Sequence, residues 1–533
     1  MSARSRTAVR VLLCLCLCSS PWLVPAIAGA DAGESRVVSV LPDPVADDDA
    51  GERVTVALAP GPHRLTDGET MVDLDGPGRV VVTPEPDRVD ARGRVVHADL
   101  ALSNAGERLT LFRNGSRVHR VAYPAAESGS RYHVAAERWQ PVGLHERAAV
   151  ALGPTNLTAF VLPDAPTPPV ATLRAADDRL LLAGYTLGSE RVVAALRAAA
   201  DRGVRVRVLL DADPVGGIGR RQARLTTTLT DAGVPVRLVG GDGARFRFHH
   251  PKYAVADDEV IVATENWKPS GTGGAGNRGW GVRIDSPVAA RELAAVFRHD
   301  WRGRGARPWS AVAEAGGSGG VGDGPATGEF PTRFEPTSFE ANATFLLTAP
   351  GNAGGAVAAV VAAADRRVAV IQPTVERGRL LTALRQAAAR GVRVRLLLSS
   401  AWYAEEANRG LANRLSGWAD RENATLSVRL ADPGGAFGKI HAKGVVADDT
   451  AVVGSLNWNP TSVRENREVA VAVRDPAVAD YYRRVFDADW NGPGAGTAFV
   501  GGSVPPLLVV AAVGAVAGVA LLARRRLRFA DEP

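Results

Sequence analysis

Apolar and polar positions follow the same order in two separate stretches of the chain. In the first, the apolar run RLLLAGYTL precedes SERVVAALRAAADRG, whose apolar residues recur every three or four positions, and the run VRVRVLLDA follows. The second stretch repeats this order with RRVAVIQPT, GRLLTALRQAAARG and VRVRLLLSS, and the two helical patterns end at Gly203 and Gly391. Strand, helix and strand in succession predict a parallel βαβ unit. The chain is therefore expected to contain two similar α/β lobes that are related by an internal duplication.

A different pattern precedes the lobes. Segments such as RVTVAL, RVVVTP and ERLTLFRNGSRVHRVAYP alternate apolar and polar residues between turn residues, which is typical of an all-β sandwich. Between the lobes, AEAGGSGGVGDGPATGEF has the glycine content of a flexible connector. The expected fold class is α/β, and its expected parts are a β-sandwich over residues 31–160, a first lobe over 165–312, a Gly-rich linker over 313–340 and a second lobe over 341–497.

Both ends of the chain carry targeting signals. Residues 1–30 begin with arginines, continue with VLLCLCLC and end with small residues, which is the pattern of a secretory signal peptide. All three cysteines lie in this segment, so the mature protein is expected to use neither a disulfide nor a thiolate nucleophile. Residues 504–523 carry no charge and are long enough to cross a bilayer as a helix. The arginine-rich tail at 524–533 is then cytoplasmic by the positive-inside rule.

These segments predict a single-pass protein of the cell membrane whose N-terminal part lies outside. Gly514 and Gly518 form a GxxxG pair, which favours a homodimer through the transmembrane helix. The two ends hold 7 of the 63 basic and 2 of the 57 acidic residues, so the exported part is almost neutral. The formal net charge of +6 therefore reports targeting segments and not a surface for binding nucleic acid.

Each lobe carries a polar motif inside an apolar run. RFHHPKYAVADDEVIVATENWKP in the first lobe and KIHAKGVVADDTAVVGSLNWNP in the second share the pattern H-x-K-x4-D, followed by a hydroxyl residue and an asparagine. Residues i and i+2 of an extended segment project from the same face, so each histidine is expected to enter a cleft together with its lysine. The candidate residues are His250, Lys252, Asp257, Thr264 and Asn266 in the first lobe and His441, Lys443, Asp448, Ser455 and Asn457 in the second.

Two lobes that face each other would bring these side chains to one point, and the set suits a phosphodiester. Ammonium and amide groups donate to the non-bridging oxygens, one histidine attacks phosphorus, and the other protonates the leaving alcohol. The chain has 63 basic residues but very few lysines, and it keeps Lys252 and Lys443 where a compact ammonium is needed. Asp257 and Asp448 are expected to hold the turn after the strand and not to touch substrate.

The paired motif resembles the double HKD signature of the phospholipase D superfamily, over residues 165–495. This resemblance implies a phosphodiesterase that hydrolyses or transfers phosphodiesters through a covalent phosphohistidine, and the two targeting segments predict that it is exported and membrane-anchored. It implies neither a metal nor a cofactor, because the lysines supply the positive charge. The segment LALSNAGERLTLFRNGSRVHRVAYP similarly resembles the lamin-tail domain, an immunoglobulin-like module, which implies a binding or spacer role.

The superfamily resemblance also implies that a downstream acid orients each catalytic histidine, and Glu468 fits this role in the second lobe. Alignment of the lobes at an offset of 189 places Gly279 at the corresponding position of the first lobe. His250 is therefore expected to lack its usual orienting acid, and either another carboxylate substitutes for it or this half of the site has drifted. Family precedent makes His250 the nucleophile, whereas the missing acid leaves open the reverse assignment, with His441 as the nucleophile.

Two alternative functions remain open. The membrane anchor favours a phospholipid substrate, and the rival is a tethered nuclease that degrades external DNA. A rival of another class is a non-catalytic surface protein on a degenerate scaffold, with Gly279 and the Ala263–Thr264 pair as traces of decay.

Three further side chains beside the motifs have two interpretations each. His249 and His250 are adjacent and suit zinc, but no second set of His or Cys has zinc spacing, so His249 is expected to flank the strand. Trp267 and Trp458 each follow a motif asparagine. They either line the substrate cleft or pack beneath it.

Overall fold

The computed structural model of the chain describes residues 34–89, 93–241, 243–314, 326 and 328–492. The predicted signal peptide (1–30), transmembrane segment (504–523) and tail (524–533) lie outside these residues, as does the GxxxG pair. Within the described part of the chain, no helix combines the length and the apolar character that crossing a bilayer requires.

Residues 36–141 form two β-sheets that share one hydrophobic core. Their strands are β1 (Arg36–Leu41), β2 (Arg53–Leu58), β3 (His63–Thr66), β4 (Met71–Leu74), β5 (Gly78–Thr83), β6 (Arg94–His97), β7 (Glu107–Arg113), β8 (Ser116–Tyr123), β9 (Ser130–His133) and β10 (Arg138–Pro141). One sheet has the order β10-β9-β1-β2-β5-β6 and the other β4-β3-β7-β8. The β7–β8 hairpin turns at Asn114 and Gly115, both with positive φ, as an Asn-Gly pair indicates. The two-sheet β architecture is present, while the likeness to the lamin tail stays a prediction.

The two lobes follow with the same succession of elements. The first contains β11 (Val150–Leu162), α1 (Thr167–Ala175), β12 (Arg179–Ala183), α2 (Glu190–Asp201), β13 (Arg205–Asp211), α3 (Arg220–Asp231), β14 (Val236–Val239), β15 (Tyr253–Ala256), β16 (Glu259–Ala263), β17 (Asn277–Asp285), α4 (Pro287–Arg302), β18 (Ala306–Pro308) and α5 (Trp309–Glu314). The second contains β19 (Thr337–Ala349), α6 (Ala353–Ala362), β20 (Arg367–Gln372), α7 (Arg379–Ala389), β21 (Arg393–Leu398), α8 (Glu405–Glu422), β22 (Leu426–Leu430), β23 (Lys439–Ile440), β24 (Gly444–Ala447), β25 (Thr450–Gly454), α9 (Pro460–Arg464), β26 (Glu468–Arg474) and α10 (Pro476–Asn491).

One continuous sheet runs through both lobes. Its order is β18-β14-β13-β12-β15-β16-β17-β11-β19-β26-β25-β24-β20-β21-β22, so the two halves mirror each other about the β11–β19 pair. β12, β13 and β14 pair in parallel, as do β20, β21 and β22, which confirms the two βαβ units. β15, β16, β24 and β25 pair antiparallel with their neighbours. The sequence pattern did not reveal this part, because a buried apolar run does not report strand direction.

The helices of the βαβ units begin and end where their sequences indicate. The Ser189 hydroxyl accepts a hydrogen bond from the Val192 N–H at 3.4 Å and caps α2. Gly203 follows α2 and Gly391 follows α7, each with φ of +89°. Glycine adopts this left-handed conformation at little cost, which explains its position after both helices.

Two predicted boundaries move. β11 lies partly in the predicted sandwich (31–160), but it pairs with β17 and β19 and therefore belongs to the lobes, where it is the counterpart of β19. The predicted linker (313–340) is too long, because β19 begins at Thr337 and the Arg333 N–H donates to the Asp164 carboxylate at 2.8 Å. The sequence shows the glycine run, but it does not show the strand and the hydrogen bond that order the residues after it.

Buried arginines connect the two lobes. Arg467 donates through Nε and Nη2 to the Asp300 carboxylate on α4, at 2.9 and 3.0 Å. Arg278 on β17 lies 2.9 Å from the Asp489 carboxylate on α10. All four side chains are buried, and the two pairs correspond at the offset that aligns the lobes. Because a buried charge is stable only when it is paired, each pair holds one lobe's sheet against the other lobe's long helix.

Candidate active site

The two H-x-K segments lie in extended chain immediately before β15 and β24. Neither is part of a strand, yet the spacing of two still brings lysine and histidine together, and Lys443 Nζ lies 3.3 Å from His441 Nδ1. Each segment pairs with the opposite lobe, because the His250 N–H donates to Arg467 O and the His441 N–H donates to Arg278 O, both at 3.0 Å. The two motifs therefore meet at the boundary between the lobes.

Each motif histidine is hydrogen-bonded to a glutamate of the other lobe. His250 Nδ1 lies 2.9 and 3.0 Å from the two carboxylate oxygens of Glu468, and His441 Nδ1 lies 3.1 Å from Glu265 Oε1. Both glutamates are fully buried, whereas 8% of His250 is exposed. When Nδ1 donates to a carboxylate, Nε2 carries the lone pair. Both rings are thus held in the tautomer that a nucleophile or a base needs.

The prediction that His250 lacks an orienting acid is wrong, because its acid comes from the opposite lobe. The segment of His250 runs beside the strand of Glu468, and the segment of His441 runs beside the strand of Gly279. The position without an acid is therefore the one that would serve His441. Glu265 serves it instead, since a Cβ added to Gly279 would lie 2.2 Å from Glu265 Cγ. The Glu265 side chain fills the space that an acid at position 279 would need.

Polar neighbours fix both carboxylates. The Ser462 hydroxyl and Asn466 Nδ2 donate to Glu468 Oε1, the latter at 3.2 Å. Asn277 Nδ2 donates to Glu265 Oε2 at 2.9 Å. Asn277 and Asn466 correspond at the offset that aligns the lobes, so the same amide position supports a carboxylate in each half. The two carboxylates reach it from different positions in their own lobes.

Two ammonium groups lie beside the histidines. Lys252 Nζ donates to His250 O and Lys443 Nζ donates to His441 O, both at 2.6 Å. Lys443 also reaches the first lobe, where it donates to Thr264 O at 3.3 Å. Both lysines are buried, and burial lowers the pKa of each, although the ionised glutamates nearby oppose this shift. The site therefore combines positive charge with two neutral imidazoles.

The protonation states follow from burial and from the neighbouring charges. Burial alone would raise the pKa of Glu265 and of Glu468, but the histidine and the lysine beside each outweigh it, and both pKa values lie below their ordinary value. Burial lowers the pKa of His250 and of His441 to about 4. The carboxylates are thus ionised and the imidazoles neutral near pH 7, which is the state in which Nε2 can attack phosphorus.

Anion binding at this site should weaken above pH 8. Burial lowers the pKa of Lys443 to about 8, so its ammonium is charged below that pH and loses its proton as the pH rises through it. For a dialkyl phosphinate, which has no ester bond to cleave and whose single negative charge is constant, we expect Kd to rise about tenfold between pH 7 and pH 9. In Lys443→Met, we expect binding to be weak at pH 7 and the pH dependence that Lys443 contributes to be lost. Burial also lowers the pKa of Lys252, so any slope that remains in this variant belongs to that lysine. Calorimetry measures both, and a wild-type Kd that stays flat would contradict the assignment.

Asp257 and Asp448, which are part of the motif and stand among the catalytic candidates, hold turns in the structure, as expected from the sequence. The Asp257 carboxylate accepts hydrogen bonds from the backbone N–H groups of residues 177–179 at 2.7 to 3.0 Å. Asp448 accepts those of residues 365–367 at 2.8 to 3.3 Å. Both aspartates have positive φ. They hold the turns that lead into β12 and β20, and their hydrogen-bonding capacity is used there.

Thr264 and Ser455, predicted as phosphate-binding or orienting residues, use their hydroxyls to hold neighbouring strands of the sheet. Thr264 Oγ1 accepts a hydrogen bond from the Trp280 N–H, and Ser455 Oγ accepts one from the Val469 N–H, both at 3.0 Å. Both hydroxyl residues are fully buried. The two residues make equivalent contacts in the two lobes, so Ala263–Thr264 preserves the role of the Gly-Ser pair.

The remaining candidates beside the motifs pack into the protein. Trp267 and Trp458 are buried, and Trp267 Nε1 donates to Ala183 O at 3.0 Å, so both pack beneath the site. His249 is fully buried, and its ring lies 3.7 Å from the Asp300 carboxylate. It flanks the His250 segment, as expected.

Asn266 and Asn457 occupy corresponding positions after β16 and β25, and both are half-buried. Within the residues that the structure describes, the buried Oδ1 of Asn266 has no hydrogen-bond partner. The Asn457 N–H donates to the Ser462 hydroxyl at 2.9 Å, which also holds Glu468. Asn457 is thereby connected through Ser462 and Glu468 to His250.

Sequence reasoning missed Glu265, although a signal for it exists. Glu265 stands 13 residues after Lys252, where the second lobe has Leu456. The first lobe thus combines Glu265 with Gly279, and the second combines Leu456 with Glu468. A comparison of both positions in both lobes would have shown that each lobe has one acid, at the earlier position in the first lobe and at the later position in the second.

Two other neighbours of the site were also missed. The ring of Tyr185 lies 4.8 Å from the His250 ring, and Lys252 Nζ lies 5.4 Å from the same tyrosine. Lys439, two residues before His441, is the other. Its Nζ lies 4.9 Å from the ring of Tyr403. No motif marks these residues. Among the described residues, no group of three or more His, Cys, Asp and Glu side chains is placed to hold a metal ion.

Comparison with known proteins gives matches over both lobes. The family model described as "Cardiolipin synthase, PLD-like domain" matches residues 170–301 and 357–490. A protein of Caenorhabditis elegans described as a probable phospholipase D is 30% identical over 122 residues. This match covers 20% of the chain and only 22% of the length of that protein.

Two solved structures match parts of the chain at low identity and with TM-scores below 0.5. The phosphatidylserine synthase of Haemophilus influenzae is 14% identical, with a TM-score of 0.49, over 64% of this chain and 88% of that one. Nuc of Salmonella typhimurium, described as a phospholipase D family member, is 20% identical, with a TM-score of 0.24, over 28% of this chain and 96% of that one.

Proposed function

Both lobes of the chain belong to the phospholipase D superfamily, and we propose that their shared site hydrolyses or transfers phosphodiesters through a covalent phosphohistidine. The observation that carries this proposal is the crossed pairing of His250 with Glu468 and of His441 with Glu265. It holds two imidazoles from opposite lobes in the reactive tautomer, next to two ammonium groups.

The first chemical step uses one histidine as nucleophile and the other as acid. Nε2 of His250 attacks phosphorus, a P–N bond forms, and the bond from phosphorus to the leaving oxygen breaks. His441 gives its proton to that oxygen, because a bound phosphodiester anion favours the imidazolium form of the ring beside it. Lys252 and Lys443 stabilise the charge that builds on the non-bridging oxygens.

The second step returns the enzyme to its starting state. His441, now neutral, takes a proton from a water or an alcohol, whose oxygen attacks phosphorus as the P–N bond breaks. Water gives a phosphomonoester and an alcohol gives a new phosphodiester, so one site supports both hydrolysis and transfer. His250 recovers its lone pair, and its Nδ1–H remains on Glu468 throughout.

Two observations argue against a degenerate, non-catalytic scaffold. The absence of an acid at Gly279 is compensated by Glu265, which occupies the same space. Thr264 makes the contact to the neighbouring strand that Ser455 makes in the second lobe. Both presumed traces of decay are therefore intact arrangements.

A phospholipid is the substrate class that we propose, ahead of nucleic acid. The exported part of the chain is almost neutral, and nucleic-acid binding depends on neutralising phosphates with basic residues. The predicted membrane segment would also keep the site next to lipid. A tethered nuclease of the same superfamily is the second candidate, because a phosphodiester of DNA offers the same reacting group.

Turnover assays with three substrates test the proposed function. The full chain is incubated in EDTA with phosphatidylcholine vesicles, plasmid DNA and bis(p-nitrophenyl) phosphate. We expect turnover of the lipid and of the chromogenic ester, and ethanol should divert the lipid product to phosphatidylethanol. Cleavage of DNA without cleavage of lipid would favour the nuclease. No turnover of any of the three would refute the enzyme.

A further inference from the structure

The two most exposed large apolar side chains of the described residues sit on corresponding loops. Val215, between β13 and α3, is 82% exposed, and Trp402, between β21 and α8, is 86% exposed. β13 and β21 are equivalent strands of the two lobes. A single exposed apolar residue is ordinary, but a matched pair at equivalent positions indicates that both loops meet something apolar.

In the first lobe, the exposed loop borders the catalytic site. The Val215 N–H donates to the Tyr185 hydroxyl at 2.5 Å. The Tyr185 ring in turn lies 4.8 Å from the His250 ring, edge to face. One side chain therefore separates the exposed valine from the nucleophile.

In the second lobe, the equivalent loop lies beside the segment that leads into the other motif histidine. The Trp402 ring packs edge to face on Tyr403, with 5.8 Å between centroids, and Tyr403 is itself 49% exposed. Lys439 Nζ lies 4.9 Å from the Tyr403 ring, and two residues further along the chain is His441. The apolar groups of both loops thus border the site from opposite lobes.

The composition of the loops favours a lipid surface over a single-stranded nucleic acid as their partner. Residues 212–219 (ADPVGGIG) and 399–404 (SSAWYA) contain neither lysine nor arginine. A groove for single-stranded nucleic acid combines aromatic side chains with basic residues that follow the backbone. Outside the loops, Lys439 contacts the Tyr403 ring, and Arg220 and Arg221 begin α3. Loops that carry tryptophan and tyrosine but no basic residue of their own, with cations only at their flanks, are instead typical of the boundary between water and lipid.

We propose that Val215, Trp402 and Tyr403 form a docking rim that rests on a phospholipid bilayer and brings the headgroup phosphodiester to the two histidines. This inference rests on the proposed function and makes its substrate class specific: lipid is taken from an assembled bilayer. Burying an indole at the headgroup level removes a large apolar area from water. The docked bilayer lies over the site, with its phosphates at the level of the imidazoles.

Quenching by brominated lipid tests the docking rim without depending on catalysis. The full chain is reconstituted with vesicles of brominated phosphatidylcholine, and its tryptophan fluorescence is compared with that of Trp402→Phe. We expect bromine to quench most of the emission that Trp402 contributes. Trp418→Phe, which removes a partly buried indole on α8, serves as the matched control and should leave the bromine-dependent quenching unchanged.

An activity ratio provides the second readout. We expect Trp402→Ser to lower the ratio of turnover on vesicles to turnover on monomeric short-chain phosphatidylcholine by about tenfold or more. Met71→Ser removes another exposed apolar side chain, 59% exposed on the β-sandwich, and should leave this ratio unchanged.

Failure of the rim and failure of the function are distinguishable. Equal bromine quenching in the wild type and in Trp402→Phe would overturn the rim, even if lipid is turned over. Quenching of Trp402 by oligothymidine and not by brominated lipid would also overturn it, since the rim would then stack on bases. Bromine quenching of Trp402 without turnover of any phosphodiester would support the rim and refute the enzyme.

Discussion

His250→Ala and His441→Ala each lower the turnover of a phosphodiester by about 10⁴-fold or more, while the protein keeps its fold. In the proposed mechanism, one substitution removes the nucleophile, and the other removes the group that gives and takes the proton. Because the two rings act as a unit, the double variant is expected to be no slower than the slower single variant. Initial rates on vesicle phospholipid and on bis(p-nitrophenyl) phosphate measure the loss, and thermal unfolding verifies the fold.

His97→Ala is the matched control for both histidine variants. His97 ends β6 on the sandwich, and its side chain is 62% exposed. We expect its rates to stay at the wild-type level. If His250→Ala or His441→Ala behaved like this control, the corresponding ring would have no part in the chemistry.

The second large effect is a loss of kcat/KM in Glu265→Leu that the additional substitution Gly279→Glu is expected to restore. Glu265→Leu should lower kcat/KM by about 10²-fold, because the His441 imidazole loses the carboxylate that fixes its tautomer. Gly279→Glu alone should also impair the enzyme, since the new side chain would collide with Glu265. The double variant Glu265→Leu/Gly279→Glu gives the first lobe the arrangement of Leu456 and Glu468. We expect it to recover to within about tenfold of the wild type.

Rescue separates a positioning role of Glu265 from a merely structural one. Glu265→Gln keeps the shape of the side chain but removes its charge, and it should be nearly as slow as Glu265→Leu with the stability of the wild type. Glu259→Leu on β16, whose native side chain is half-buried, is the matched control and should remain active. A double variant no faster than Glu265→Leu would show that the acid at position 265 does not stand in for one at 279.

The duplicated part of the fold could be predicted because its signals are local. Apolar periodicity, the Ser189 cap and Gly203 specify a strand, a helix and a strand without reference to the rest of the chain. The repetition of the same signals around Gly391 then shows two lobes. β11 was assigned to the sandwich because a strand at a domain boundary carries no mark of which sheet it joins.

The sequence predicts which side chains meet at the site, but it does not predict their connections. The spacing of His250 and Lys252, repeated at His441 and Lys443, predicted that the two motifs come together, as the structure shows. Which glutamate serves which histidine depends on the pairing of each motif segment with the opposite lobe. That pairing is a tertiary contact, and an alignment of the two lobes shows which positions are equivalent but not which positions touch. The alignment therefore found the missing acid at Gly279 and assigned its loss to the wrong histidine.

The docking rim was invisible to sequence reasoning for a similar reason. Trp402 and Val215 are different residues in loops of different composition, so an alignment of the lobes shows no shared motif. Their likeness lies in exposure and in position beside the histidines. The tryptophans that follow the motif asparagines, Trp267 and Trp458, looked more promising in the sequence and are buried.

Capture of the phosphohistidine tests the shared site most directly. His441→Ala is mixed with a radiolabelled p-nitrophenyl phosphodiester, whose leaving group needs no acid, and the reaction is quenched in alkali, where a P–N bond survives. Without His441 as base, the second step is slow, so we expect the label to accumulate on His250. The label should be transient in the wild type and absent in His250→Ala. A label on His441 of the wild type would reverse the two roles, and a label on neither histidine would contradict the account.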